Sequence, residues 1–162
     1  MTYYEASPAL AASRTRVSGT DRETAEMISA SDIDEIHNLF LRQAAGETAH
    51  DIEVIDTVLA RATPGQPDPV TFVARAYRFW GREAVIDHFR AVFDGTWRFE
   101  PDPSAIRITP LGRDSAHIYA LTRITAGASG RDAVTSEFLV NEVAIRTPDG
   151  WRISTIVPVP TQ

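Results

Sequence analysis

The side chains available for chemistry are few in kind. Every basic residue is arginine, and the sequence contains neither lysine nor cysteine. That excludes a lysine Schiff base, a thiol nucleophile, a disulfide and a thiolate metal site. Carboxylate, imidazole, phenol and neutral polar groups remain, a set suited to proton transfer and to orienting oxygen atoms. Glu137 is the leading carboxylate. The run Thr147-Pro-Asp-Gly150 suits a type I turn with a glycine bulge that pairs Thr147 with Trp151. Ile145 then faces Ile153, Val143 faces Thr155 and Asn141 faces Val157. The odd-numbered face therefore reads as interior and carries Glu137 and Asn141 inward. An inward carboxylate is either an acid/base group or half of an ion pair with an arginine such as Arg123.

His37 lies between Ile33 and Phe40 on a helical wheel and points to the core side, as a pocket acid/base or as a core histidine bonded to a backbone carbonyl. His117, Tyr119 and Arg123 alternate along one strand face. They either line a pocket that orients a polar substrate or form an outer, dimer-facing surface. Asn141 can bond a substrate carbonyl or a helix end, and Tyr77 and Trp80 flank a helix entry as pocket wall or as packing. His88 falls at the edge of that helix's apolar stripe, a boundary position. Asp87 beside it forms no dyad, because successive helix positions diverge. His50 reads as a surface residue at a helix start. No His-x-x-x-His pair, Gly-x-Gly-x-x-Gly, P-loop or Gly-x-Ser-x-Gly turn is present, so no metal and no cofactor are expected.

The elements that must position these groups follow from periodicity. Helices are expected from Ser31, as N-cap, to near Gly46, from near Ala49 to before Pro64, and over Arg82–Phe93 with Val85, Ile86, Phe89 and Val92 inward. Residues 63–69, with three prolines and a glycine, form a loop, and 70–79 reads as a strand. Five further strands are expected at 97–100, 105–111, 116–125, 134–146 and 151–157, in one antiparallel sheet. Residues 1–30 show no sustained period and read as an arm before a single domain over 31–159. The 162 residues carry a net charge of -6 without a basic stripe, which argues against nucleic acid as a partner. No apolar run approaches the roughly 20 residues that span a bilayer, and the first residues lack the pattern of a secretory signal. No membrane association and a cytoplasmic location are therefore expected.

Residues 81–86 (Gly-Arg-Glu-Ala-Val-Ile), Phe89 and residues 149–153 (Asp-Gly-Trp-Arg-Ile), in the order three helices then a long sheet, resemble the nuclear transport factor 2-like superfamily in its bacterial SnoaL-like and ketosteroid-isomerase-like branches. The likeness is nearest to small proteins of actinobacterial polyketide and enediyne pathways. It implies an α+β cone, three N-terminal helices packed in a curved antiparallel sheet, with a hydrophobic pocket at the open end and a homodimer formed through the sheet. It also implies a cofactor-independent enzyme performing acid/base chemistry (isomerase, cyclase or dehydratase) on a hydrophobic polyketide-like or steroid-like substrate. The alternatives are a noncatalytic binding or accessory protein, or a dimerisation module with a collapsed pocket. On this reading Glu137 and His37 are catalytic, and His117, Tyr119, Arg123, Asn141, Tyr77 and Trp80 bind substrate. His37 takes the helix-one position nearest the isomerases' tyrosine, and the Asp-rich strand motif of those enzymes is missing.

Overall fold

The first helix is capped two residues before the position expected, Ser31. In the computed structural model, which describes residues 28–162, α1 spans Ala30–Ala49 and its N-cap is Ser29 rather than Ser31. The Ser29 hydroxyl accepts the Asp32 N–H while the Asp32 carboxylate accepts the Ser29 N–H, a reciprocal box. Asp32 is simultaneously engaged from the far end of the chain. Its Oδ1 accepts the indole N–H of Trp151 at 2.9 Å and pairs with Arg146 at 2.9 Å, and the Arg146 guanidinium lies 4.6 Å over the Trp151 ring. The Arg146 and Trp151 bonds hold the Asp32 carboxyl well below the usual carboxylate range. Trp151 is fully buried at this corner, so residues 149–153 serve packing. The arm expected over residues 1–30 lies almost wholly outside the described residues.

α1 continues past Gly46, where a stop was expected, and ends at His50 in the left-handed conformation (φ 57°). Gly46 is buried instead where two helices cross: a Cβ there would stand 2.6 Å from Val54 Cγ1. Val54 belongs to α2 (Ile52–Val58), which Asp51 caps by accepting from Glu53 and Val54. The span 70–79 is not one strand but a hairpin, β1 (Thr71–Val73) and β2 (Arg78–Trp80), closed by reciprocal backbone bonds between Ala74 and Tyr77. α3 occupies Arg82–Phe93, as its spacing predicts. Gly81 has no side chain to cap it, and Asp68 of the proline-rich loop accepts the Arg82 N–H at 2.9 Å in its place.

The remaining strands are β3 (Thr96–Pro101), β4 (Arg107–Pro110), β5 (Ser115–Gly127), β6 (Val134–Thr147) and β7 (Gly150–Pro160). The sheet runs β2-β1-β7-β6-β5-β3, with β4 also on β5, and it stays unclosed and curved around the helices. It is mixed rather than antiparallel throughout, because β1 pairs with β7 in parallel. The α+β architecture expected from the sequence is the one observed. Ile36 and Phe40 of α1 and Phe89 of α3 pack on Ile118, Val140 and Ile153 of the sheet.

The register of the β6–β7 hairpin decides which carboxylate faces the core. Thr147 pairs with Gly150, Arg146 with Trp151 and Ala144 with Ile153. Val143 then pairs with Thr155 and Asn141 with Val157. Ser154 is the extra residue of a β-bulge in β7. The last two pairs are as expected from the turn, yet the interior face of β6 is the even-numbered one: Val140, Glu142 and Ala144 are buried. Trp151 and Ile153 do face the core, and the bulge transfers that role to Ile156 beyond it. Reading Ile153 opposite Ile145 therefore inverted the face, since a one-residue slip turns every side chain over. Glu137 stands exposed near the start of β6, and Glu142 is the inward carboxylate.

Candidate functional site

A cavity of about 990 Å³ opens between the β1–β2 hairpin, α3 and the ends of β3, β5 and β6. The expected alternative of a collapsed pocket is thereby corrected: Phe72 and Phe79 line the space without filling it. Its wall is mainly apolar, as is usual for small-molecule sites. The hairpin is placed over α3 by aromatic packing, with Phe72 and Phe89 meeting edge to face at 6.1 Å. At the rim, Gly95 and Gly127 approach backbone to backbone. A Cβ on Gly95 would collide with the Gly127 carbonyl oxygen and stand 3.1 Å from the Ala128 backbone. Gly95→Ala is therefore expected to destabilise the fold by about 1–3 kcal/mol. A urea or thermal melt checks this, and an unchanged melt would mean the rim is pliable.

His88 is a buried titratable group set into this wall. Its side chain is 9 % exposed, stacked on Phe79 (4.6 Å between ring centres) and tilted against Phe72 (4.7 Å) and Tyr77 (5.5 Å). The boundary placement expected for it is corrected here, because the hairpin folds over that side of α3. Burial alone shifts the imidazole, pushing its pKa below the ordinary value, so the ring is neutral at physiological pH. No side chain or backbone group among the described residues hydrogen-bonds it. Asp87 reaches the cavity rim but is paired with Arg90 at 2.6 Å, in keeping with the absence of a dyad. Tyr77, Thr96 and Ser136, which carry hydroxyls, belong to the same lining.

A second polar group lies behind the wall. Trp97 lines the cavity and donates its indole N–H to Glu47 Oε2 at 2.9 Å. Gln43 Nε2 donates to Glu47 Oε1 at 3.0 Å and to Glu142 Oε1 at 2.8 Å. All three polar side chains are 1 % exposed. Burial pushes the Glu47 carboxyl up to about 7 and raises Glu142 well above the usual carboxylate range, with the neighbouring Glu47 adding to the latter. Gln43 Oε1 and Glu142 Oε2 find no partner among the described residues, each a cost of about 1–3 kcal/mol.

Of the residues expected at the site, Tyr77 lines the cavity and the others do not. Trp80 is 68 % exposed on the outward side of β2. His37 is half-buried on α1 beside Ile36, which takes the core-facing position in its stead. His117, Tyr119 and Asn141 share the outer face of the sheet, where His117 Nε2 lies 3.0 Å from Asn141 Oδ1. Arg123 and Glu137 are paired in register across β5 and β6, yet the Arg123 guanidinium meets Glu100 at 3.6 Å. Asn141 follows Glu137 in the face correction. His50 is exposed, as expected, though at the end of α1, where its ring lies 3.0 Å from the Trp97 carbonyl oxygen. Glu47 was legible in principle, because Phe40, Gln43, Ala44 and Glu47 continue one helical stripe.

The sequence profile of the SnoaL-like domain matches residues 50–157. The chain belongs to the SnoaL-like family. This family is a branch of the nuclear transport factor 2-like superfamily, and the solved structures agree with it. A Novosphingobium aromaticivorans protein named as a candidate aromatic ring hydroxylase has a TM-score of 0.71 at 16% identity, over 83% of this chain and 92% of that one. A Streptomyces avermitilis protein of the NTF2-like family, named as a candidate dehydratase, has a TM-score of 0.68 at 18% identity, over 81% of this chain and 97% of that one. A Salmonella enterica NTF2-like superfamily protein has a TM-score of 0.70 at 13% identity, over 82% and 92%. At these identities the likeness is one of fold. No protein of curated function matches the SnoaL-like chain. Among its described residues no helix is long and apolar enough to cross a membrane, and no His/Asp/Glu cluster is arranged to hold a metal ion.

Proposed function

We propose that the cavity binds a flat, hydrophobic carbonyl compound, steroid-like or polyketide-like in size, and that His88 moves a proton on it. The observation that carries this reading is the neutral imidazole of His88, buried in the aromatic wall of an open cavity with no hydrogen-bond partner among the described residues. A neutral imidazole in such a place can take a proton next to a carbonyl and return it as imidazolium. The hydroxyls in the lining are the available donors for the enolate oxygen. Isomerisation, cyclisation and dehydration all begin with this step, and the Streptomyces relative's name is compatible with it.

Titration with β-tetralone, a planar bicyclic ketone, tests the reading while the ring protons of His88 are followed by NMR. Shifts confined to His88 and the cavity aromatics are expected. Binding that leaves His88 unmoved but shifts Phe72 and Phe79 favours a second reading, a noncatalytic carrier, which the mainly apolar wall also suits. No response at any cavity residue defeats both.

The outer face of the sheet supports a homodimer. Leu121, Leu139, Val143 and Val157 form an apolar patch there, bordered by Tyr119, His117 and Asn141, and Val159 beside it is 43 % exposed. Light scattering is expected to give a dimer mass for the wild type and a monomer mass for the double variant Leu139→Arg, Val157→Asp. A wild-type monomer at every concentration would remove the dimer.

A further inference from the structure

The cavity wall has a polar backing that proton transfer by His88 does not use. The C-terminal turn of α1 grips β3 at three points. Glu47 accepts the Trp97 indole N–H at 2.9 Å, the His50 ring nitrogen Nε2 lies 3.0 Å from the Trp97 carbonyl oxygen, and the Thr48 hydroxyl bonds both the N–H and the carbonyl of Phe99. The Trp97 ring is part of the cavity lining. Its placement there is thus set by a hydrogen bond to a carboxyl. Behind that carboxyl, one amide nitrogen joins two acids: Gln43 Nε2 reaches Glu47 at 3.0 Å and Glu142 at 2.8 Å. A neutral amide in place of Glu47 could tether the indole equally well. Two ionisable carboxyls facing one amide, out of reach of water, are more than a tether requires, because burying a charge is costly.

We propose that Glu47 is a positioning residue of the cavity: the buried pair Glu47 and Glu142 carries at most one negative charge, and whether Glu47 bears it sets how firmly Trp97 is held in the wall. Only the last step, from wall to ligand affinity, rests on the reading of the cavity as a ligand site. Ionised, Glu47 gives Trp97 and Gln43 charge-assisted bonds, roughly twice as strong as neutral ones. Protonated, it is an ordinary acceptor and the indole is freer to swing. The groups that face it are Gln43 on its own helix, Trp97 from β3 and Glu142 from β6; His50 is the next titratable group, across the Trp97 peptide. Burial raises both carboxyls, Glu47 to about 7; Glu47 accepts two hydrogen bonds where Glu142 accepts one, so the single charge is better held on Glu47, and it disfavours ionisation of Glu142. A flat apolar ligand that needs the indole in place then binds better as pH rises through neutrality, and its binding releases a proton.

Tryptophan fluorescence reads the switch without any ligand. In a Trp80→Phe background, which leaves Trp97 and the buried Trp151 beside its ionised Asp32 partner, a titration centred near pH 7 is expected. It should vanish in Glu47→Gln and in Trp97→Phe and persist in His50→Asn, since asparagine accepts the left-handed conformation of residue 50. The apolar dye ANS is expected to bind the wild type several-fold more tightly at about pH 8 than at about pH 6, and Glu47→Gln equally at both. A fluorescence titration that survives in Glu47→Gln or disappears in His50→Asn overturns the proposal. So does an ANS affinity that stays flat in the wild type while the fluorescence titrates. ANS that fails to bind the wild type at any pH removes the cavity reading instead, and the fluorescence arms still decide whether Glu47 governs Trp97.

Discussion

Replacing Glu47 by glutamine is expected to stabilise the protein above neutral pH by about 3 kcal/mol and to change little in acid. The wild-type carboxyl is raised from 4.5 to about 7 in the folded state, so between those values the native state binds a proton that the unfolded chain has given up. Stability therefore falls with rising pH across this window, and each unit of difference is worth about 1.36 kcal/mol. The contribution of the protonated carboxyl is complete below the unfolded value and gone once pH passes the folded one. Glutamine removes that slope. It keeps an acceptor for Trp97, and the unpaired Oε1 of Gln43 is available to its N–H group. Glu142 remains in the variant, so some decline at higher pH persists in both proteins. Urea unfolding at about pH 5 and about pH 9 measures the difference, with unchanged m-values showing that the states compared are the same. Parallel pH profiles for the two proteins would mean that Glu47 is not buried as a neutral acid.

The same residue shows where sequence was informative and where it was not. α3 was readable to its ends because Val85, Ile86, Phe89 and Val92 repeat at helical spacing and tertiary contacts reinforce that face. The five long strands were readable because their alternation and turn residues agree. The site was not, for three local reasons. The turn at 74–77 contains neither glycine nor proline, so the β1–β2 hairpin read as one strand, and with it went the lid over His88. The β6–β7 turn closes Thr147 on Gly150 rather than on Trp151, and this slip, which the unmarked Ser154 bulge cancels farther along, turned β6 over and exchanged exposed Glu137 for buried Glu142. Glu47 lies on an apolar stripe that was followed only as far as Ala44. Each of the buried acids breaks the local pattern of its element, a carboxylate among alanines and valines, and such breaks are where function is expected to reside. The residues that carried the family likeness do different work: Trp151 ties the β6–β7 hairpin to the start of α1, and Arg82 bonds the carbonyl of Asp56 at 2.7 Å and pairs with its carboxylate, tying α3 to α2.

Substituting His88 by glutamine is expected to slow cavity-catalysed proton exchange by about 10²- to 10⁴-fold, the usual worth of a positioned general base. The probe is exchange of the α-protons of β-tetralone in deuterium oxide. In this step the C–H bond electrons pass into the enolate, the proton goes to the imidazole, and the resulting imidazolium delivers deuterium once solvent has exchanged it. Only the neutral ring can accept. Burial has lowered its pKa, so the rate should rise with pH through an apparent value below that of free imidazole and then stay level across neutrality. The aromatic contacts at 4.6 and 4.7 Å fix the ring plane, which lets glutamine keep the volume while losing basicity. His88→Phe serves as a second variant that keeps the stacking on Phe79 and removes both nitrogens. Loss of exchange in both variants, with β-tetralone affinity within about threefold of the wild type, assigns the proton transfer to His88. A rate unchanged in either variant shows that the base lies elsewhere in the cavity, and a wild type that binds the ketone without exchanging it leaves the carrier reading standing.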